Sequence, residues 1–192
     1  LQSRGLGDVY KRQTYDDNEV LKNVNITLKD NSIYCLMGAS GIGKTTLLRI
    51  IMGLEHADSG SVSGIDTKSI SCMFQEDRLI LNLSAIDNVR IVLRGKSNRE
   101  EVRNNLLSIL PDDSLDMPVS SLSGGMKRRV ALARALSYPG KLIILDEPFT
   151  GLDKDTKLNV IDYILKMRNN RTLLIATHGC LLYTSPSPRD CS

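Results

Sequence analysis

Residues 32–52 read SIYCLMGASGIGKTTLLRIIM, which is an apolar run, a glycine-rich turn and then apolar residues at helical spacing. The apolar run at 32–37 predicts a buried parallel strand, because such strands are covered on both faces. The segment from Lys44 to Met52 predicts a helix that ends at Gly53, a residue suited to a helix C-terminus. A strand joined to a helix by such a turn indicates an α/β fold.

The turn itself, at residues 38–45, fits the pattern GxxxxGK[ST] in the strand-to-helix position that this motif requires. Its glycines let backbone N–H groups surround phosphate oxygens, and the helix N-terminus adds partial positive charge. Lys44 can reach β- and γ-phosphates, and the hydroxyl of Thr45 can ligate Mg²⁺. A glycine-rich turn with no ligand is the alternative, but the strand context favours a phosphate-binding P-loop.

Residues 142–147 read LIILDE, an apolar strand that opens onto two acids. Ligands bind at the carboxyl ends of strands in an open α/β sheet. Asp146 therefore suits a Mg²⁺ site, directly or through water, and Glu147 suits polarising an attacking water as a general base. Two acids after a strand can instead cap the next helix, but the P-loop favours the catalytic interpretation.

Residues 122–126 read LSGGM and begin a predicted helix with Ser123 at its N-cap. A well-capped helix start is the simpler interpretation. The alternative is a second phosphate-binding helix end, where serine and glycine expose backbone donors and the helix dipole favours a γ-phosphate.

Strand and helix patterns alternate along the rest of the chain, with helices grouped in its middle. This order predicts an α/β fold with a mostly parallel core sheet and a small all-helical subdomain at about 76–137. The turn signal at 58–60 is predicted to be a turn only. The predicted strands lie at 24–28, 69–74, 141–145 and 172–177, and the predicted helices at 84–93, 98–110, 123–136 and from Asp153 or Asp155 to 167.

Composition excludes several classes of protein. The 192 residues suffice for one domain, and the chain has no apolar run of the roughly 18 residues that a membrane-spanning helix needs. Its 25 basic and 22 acidic residues, with 4% aromatics and no tryptophan, argue against a nucleic-acid partner. The basic run at 127–129 is predicted to be a solvated helix face. Cys35 and Cys72 are expected to be buried free thiols.

The two ends of the chain differ from its middle. Residues 3–13 have no apolar period, and residues 180–190 end in a run of proline and serine. A single DNA sequence can encode the first segment on one strand and the second on the other, and it resembles a transposase-type sequencing-library adapter. We therefore expect 1–13 and 180–192 to be non-native segments, with natural flexible tails as the alternative.

The order and spacing of these motifs resemble the ATP-binding cassette (ABC) ATPases, the motor subunits of ABC transporters. The matching positions are the P-loop, Gln75, LSGGM, LIILDEP at 142–148, residues 151–153 and His178. The resemblance implies a P-loop NTPase fold with a partial antiparallel β subdomain, truncated at both ends, over residues 14–179. It also implies a head-to-tail dimer in which each ATP lies between one P-loop and the other subunit's LSGG.

The same resemblance implies a role for each matching residue. Tyr15 would stack on adenine, and Gln75 would sense Mg²⁺ and water. Ser123 would act on the partner's ATP, Asp153 would cross the dimer interface and His178 would hold the γ-phosphate. The implied sets are ATP-binding (Tyr15, Gly38, Ser40, Gly41, Gly43, Lys44, Thr45, Thr46, Ser123, Gly124, Gly125 and Asp153), metal-binding (Thr45, Gln75 and Asp146) and catalytic (Glu147, His178 and Gln75).

Several of these positions have a structural alternative. Tyr15 can be a core or surface tyrosine, and Gln75 an ordinary loop glutamine. His178 follows an apolar strand, so a hydrogen-bonded core histidine is the alternative there. Asp153 is equally well explained as the N-cap of a helix.

The segments at 72–80, 82–89 and 124–136 look like those of the importer subgroup that serves nitrate, sulfonate, taurine or similar small solutes. In such importers the cassette lies at the cytoplasmic face of the membrane and is held by a permease, with a solute-binding protein as a further partner. We expect residues 76–95, with the apolar triplet at 79–81, to dock on the permease. The alternative is that the triplet belongs to the core of the helical subdomain.

The predicted function is Mg²⁺-dependent hydrolysis of ATP that powers solute transport. One alternative is a soluble ABC-type ATPase acting in translation or DNA repair, which would require a second cassette or a long coiled-coil insertion. Another is a binding module with an inactive site, against which Lys44, Asp146 and Glu147 argue.

Overall fold

The structure is a computed structural model that describes residues 5–15, 18–94 and 98–179, with side chains from Leu21 onward except those of 22 and 23. Strands and helices alternate as α/β folds require. The strands are β1 (Gly5–Tyr15), β2 (Asn18–Lys29), β3 (Ile33–Met37), β4 (Ser59–Val62), β5 (Ile70–Met73), β6 (Leu142–Asp146) and β7 (Thr172–Thr177). The helices are α1 (Lys44–Ile51), α2 (Ala85–Leu93), α3 (Arg99–Leu106), α4 (Gly124–Ser137) and α5 (Lys154–Met167).

A four-stranded parallel sheet in the order β3-β7-β6-β5 positions the site. Strands β6 and β7 are buried along their whole length, as their continuous apolar sequences predict. Strand β3 lies at the edge of this sheet, where Ile33 and Met37 are exposed and the three residues between them are half-buried, so the prediction of a fully buried strand is wrong. Cys35 and Cys72 form no disulfide within the described part of the chain, and both are half-buried rather than buried.

The parallel sheet separates two hydrophobic clusters. Successive side chains of a strand point to opposite faces, so Ile143 and Leu145 of β6 pack with helices α2 to α5. Leu142 and Ile144 pack on the other face with α1 and with Leu28 of β2. The sheet is therefore covered on both faces, and its strands end together at one edge.

A second, antiparallel sheet has the order β2-β1-β4. Residues 5–13 lie in β1, although they are predicted to lie outside the fold. Strand pairing uses main-chain groups, so a segment without an apolar period can occupy a strand. Residues 59–62 form β4, although a turn is predicted at 58–60, because β1 offers them a pairing partner.

The helices agree with the predicted ones except that α3 ends at Leu106, where turns replace the predicted helix up to 110. The helices α2, α3 and α4 share a core that includes Ile86, Leu106 and Leu132. Among the described residues, no helix has the length and apolar character needed to cross a bilayer.

Candidate active site

The loop between β3 and α1 wraps around the side chain of Lys44. Gly41 and Gly43 adopt φ values of +80° and +98°, a region that residues with a Cβ rarely occupy. The ammonium group of Lys44 donates hydrogen bonds to the carbonyl oxygens of Gly38 (2.6 Å) and Ala39 (3.0 Å). The lysine is thereby buried at the N-terminus of α1, where phosphate oxygens are favoured.

The end of β6 meets the start of α1 through one hydrogen bond. The hydroxyl of Thr45 donates to Oδ2 of the buried Asp146 at 2.8 Å. Oδ1 of Asp146 is also buried and makes no hydrogen bond to any described residue. A buried carboxylate oxygen without a donor, next to a hydroxyl, is suited to a hard cation such as Mg²⁺.

Glu147 occupies a strained position just after β6. Its φ of +50° is left-handed, which costs a residue with a Cβ about 1–2 kcal/mol. The backbone N–H of Glu147 donates to the carbonyl of Ala176 at 2.8 Å, and its side chain is mostly buried. Strain of this kind persists only where surrounding contacts enforce it, and it clusters at active sites.

His178 connects Glu147 to the P-loop. Its Nε2 lies 3.2 Å from Oε1 of Glu147, and its Nδ1 lies 3.2 Å from the carbonyl oxygen of Gly38. A carbonyl only accepts hydrogen bonds, so the contact to Gly38 is a hydrogen bond in the tautomer that carries its hydrogen on Nδ1. The side chain of His178 is 54% exposed, so the alternative of a core histidine is wrong: the residue follows the last residue of β7, at the mouth of the site.

These groups line one cavity of about 290 Å³ at the carboxyl edge of the parallel sheet. This is the place where ligands bind in open α/β sheets. The cavity contains the three predicted catalytic residues, the three predicted metal ligands and six of the twelve predicted ATP-binding residues. Its lining residues are Ser40, Gly41, Gly43, Lys44, Thr45, Thr46, Gln75, Asp146, Glu147 and His178.

The LSGG motif and Asp153 do not line this cavity. Ser123 caps α4, because its hydroxyl accepts a hydrogen bond from the N–H of Met126 at 3.3 Å, and it is exposed together with Gly124. Asp153 caps α5 in the same way, and hydrogen bonds from Thr156 hold the pKa of its carboxyl below the ordinary value.

The two helix starts are neighbours. A Cβ built on Gly125 would lie 3.9 Å from the carbonyl oxygen of Gly151, so the backbones approach closely here. Tyr15 ends β1, and its side chain lies outside the described residues.

The prediction that the basic run at 127–129 is a solvated face is wrong. Arg128 is 6% exposed, and its guanidinium donates to main-chain and side-chain oxygens beside the cavity. Arg129 donates to the carbonyl oxygens of Gly125 and Ile109. A run of basic residues gives no local signal of such burial, because the acceptors come from distant parts of the chain.

Comparison with known proteins identifies the family. The family model described as ABC transporter matches residues 21–150. The chain belongs to the ABC transporter family. It is an ABC ATPase, and the predicted α/β fold of a P-loop NTPase is confirmed by a solved structure of the ATP-binding cassette MJ0796, a dimer in a post-hydrolysis state bound to ADP and Pi. That structure is 29% identical with a TM-score of 0.76, and the match covers 90% of this chain and 88% of the other.

Curated relatives of this ABC ATPase are import proteins. The aliphatic sulfonates import ATP-binding protein SsuB of Corynebacterium glutamicum is 39% identical, over 87% of this chain and 71% of the relative. The sulfate/thiosulfate import ATP-binding protein CysA of Mannheimia succiniciproducens is 37% identical, over 82% of this chain and 50% of the relative. The predicted similarity to the sulfonate-type subgroup is confirmed, and a transport ATPase is favoured over the soluble alternative.

Proposed function

We propose that this ABC ATPase powers the import of a small oxyanion, of the sulfonate or sulfate class, from the cytoplasmic face of the membrane. One observation carries the proposed chemistry: Lys44, Thr45, Asp146, Glu147 and His178 line the same cavity. The class of solute is inferred from the import relatives, because the ATPase itself does not contact the solute.

In this proposal the P-loop holds the triphosphate and Glu147 activates water. Lys44 and the backbone N–H groups of residues 41–45 bind the β- and γ-phosphates. The carboxylate of Glu147 accepts a proton from the water that attacks the γ-phosphate in line. His178 positions that carboxylate and contacts the γ-phosphate, while Tyr15 stacks on adenine.

Magnesium fits the oxygen donors at the base of this cavity. The hydroxyl of Thr45, the free Oδ1 of Asp146 and the amide oxygen of Gln75 are hard ligands of the kind Mg²⁺ prefers. When bound, the ion neutralises charge on the β- and γ-phosphates.

A second copy of this chain is the proposed partner at each nucleotide. The helix α4 presents Ser123 and Gly124 at an exposed N-terminus that takes no part in the cavity of its own chain. Backbone donors at such an end attract phosphate. Two copies placed head to tail would bring this end, and Asp153 beside it, over the other copy's P-loop.

Formation of the dimer tests this arrangement. With ATP and Mg²⁺, the hydrolysis-deficient variant Glu147→Gln is expected to sediment as a dimer, and removal of Mg²⁺ with EDTA is expected to return it to a monomer. Addition of Ser123→Arg should raise the dimer dissociation constant at least 10-fold, because the larger side chain fills the space of the partner's γ-phosphate. Addition of Ser63→Arg, on an exposed loop after β4, is the matched control and should leave dimerisation unchanged. Equal dimerisation of both double variants would contradict the arrangement.

The proposed docking surface for the permease lies within residues 76–95. Ile80 and Leu81 are 48% and 56% exposed, while Leu79 packs against the core. The buried side chain of Asn88 holds this loop, because its amide donates to the carbonyl oxygens of Ile80 and Ser84 and its oxygen accepts from the N–H of Ile80. Apolar side chains held rigidly outward mark a protein–protein contact.

Charged substitutions on this surface should uncouple the ATPase from the permease. Ile80→Asp with Leu81→Asp is expected to lower permease-stimulated ATP hydrolysis at least 10-fold in proteoliposomes. The unstimulated rate of the ATPase alone should stay within 2-fold of wild type. Leu165→Asp, on an exposed part of α5, is the control and should leave both rates unchanged. A stimulated rate that survives the double substitution would reject this surface.

We also propose that residues 14–179 are the nucleotide-binding domain, with a helical subdomain at about 76–137, and that 1–13 and 180–192 are non-native. The family match at 21–150 falls inside the proposed domain. The uninterrupted genomic sequence across both junctions tests this assignment.

A further inference from the structure

Arg128 lies on α4 but reaches the two loops that carry the proposed catalytic side chains. Its guanidinium donates to the carbonyl oxygens of Phe74 and Gln75 after β5, at 2.9 and 2.7 Å. It also donates to the carbonyl oxygens of Asp146 and Glu147 after β6, both at 2.7 Å. One side chain thus bridges the ends of two neighbouring strands of the parallel sheet.

Arg128 also has an anionic partner, Asp77, on the loop after β5. The carboxylate of Asp77 accepts a hydrogen bond from Nη1 of Arg128 at 3.1 Å; the side chain of Arg128 is buried and that of Asp77 is half-buried. A planar guanidinium can serve several fixed acceptors at once, which the point charge of a lysine cannot do. Burial strengthens these bonds and makes the loss of one partner costly.

The bond to Glu147 has a further consequence because Glu147 has a strained backbone. Its left-handed φ of +50° places its carboxylate in the cavity, and its carbonyl accepts from Arg128. Without that bond, we expect the backbone of Glu147 to relax toward an ordinary conformation, which would move its carboxylate away from the attacking water. A shift of this kind lowers the rate of the chemical step without removing any group that binds ATP.

We propose that Arg128 is a positioning residue for ATP hydrolysis. Its hydrogen bonds to the main-chain carbonyl groups of Gln75 and Glu147 hold these two residues in place relative to each other. The inference rests on the proposed function, in which Glu147 activates the attacking water. Because Arg128 lies on α4, the helix that Ser123 caps, the position of the LSGG end is tied to the position of both catalytic side chains.

A matched control exists on the same helix. Arg134 donates to the carbonyl oxygens of Asp77 and Arg78, on the loop after Gln75, and these bonds do not involve the end of β6. Its substitution therefore loosens the same loop while leaving Glu147 held.

The experiment compares steady-state ATP hydrolysis and ATP binding for the full chain and its variants. For Arg128→Gln we expect kcat to fall about 10- to 100-fold, with the Kd for ATP within 3-fold of wild type. Arg134→Gln should keep kcat within 3-fold. Should the Gln variant not fold, as judged by circular dichroism, Arg128→Lys retains the charge and is expected to lower kcat at least 10-fold.

Three outcomes would overturn the inference: an unchanged kcat in a folded Arg128 variant, a rise in Kd that matches the fall in kcat, or an equal loss in Arg134→Gln. Failure of the proposed function is recognised separately. In that case the wild-type chain would not hydrolyse ATP, or Glu147→Gln would hydrolyse it at the wild-type rate.

Discussion

Replacement of Glu147 by glutamine should lower the rate of ATP hydrolysis by roughly 10²- to 10⁴-fold, the usual contribution of a general base. Glutamine has nearly the same shape but cannot accept a proton from the attacking water. Its amide can still contact Nε2 of His178, which lies 3.2 Å from Oε1 in the wild-type chain. The Kd for ATP should stay within about 3-fold, because the P-loop that binds the phosphates is unchanged.

The measurement is phosphate release under saturating Mg²⁺-ATP, combined with equilibrium binding of labelled ATP. Glu100→Gln supplies a matched control, since Glu100 is exposed in the first turn of α3. Hydrolysis by Glu147→Gln at the wild-type rate would show that Glu147 is not the base. It would also revive the interpretation of the two acids after β6 as helix-capping groups.

Replacement of Lys44 by alanine should have the second large effect, on binding as well as on hydrolysis. The ammonium group is buried against the carbonyl oxygens of Gly38 and Ala39, and in the proposed function it binds the β- and γ-phosphates. A charged hydrogen bond contributes about 1.5–3 kcal/mol, so we expect ATP to bind roughly 10- to 100-fold more weakly. Lost stabilisation of transition-state charge should lower kcat by a further factor of about 10²–10³.

Binding of ATP and kcat/KM are measured together for this variant. Lys166→Ala, on an exposed position of α5, is the control and should bind and hydrolyse ATP normally. Because Lys44 also bonds to its own loop, the melting temperature of the variant is needed to separate a loss of ligand contact from a loss of loop structure. Wild-type affinity in a folded Lys44→Ala variant would exclude phosphate binding by this lysine.

The features that could be predicted from the sequence are those that depend only on residues close to one another along the chain. The strand–turn–helix around Lys44, the strand that ends at Asp146 and the cap formed by Ser123 are all local patterns, and the structure contains each of them. The cap formed by Asp153 is equally local. Such elements form because hydrogen bonds within a few residues satisfy their own backbone groups.

Other features depended on which strands became neighbours. Strand β3 could be predicted from its sequence, but its place at the edge of the sheet could not. An apolar run does not indicate whether one or two strands will pair with it. Residues 59–62 form β4 only because β1 lies beside them. The contact from His178 to Gly38 joins positions 140 residues apart.

The amino-acid sequence by itself determined the family, the glycine-rich turn before α1 and the acids at the end of β6, since a motif with fixed spacing needs only its own residues. Tertiary structure alone decided the burial of Arg128, whose acceptors lie 54 residues before it and 19 residues after it. The reason is that a guanidinium can either stay hydrated at the surface or donate hydrogen bonds to several carbonyl groups in the interior. Which of the two it does depends on whether folding brings unpaired carbonyls within its reach.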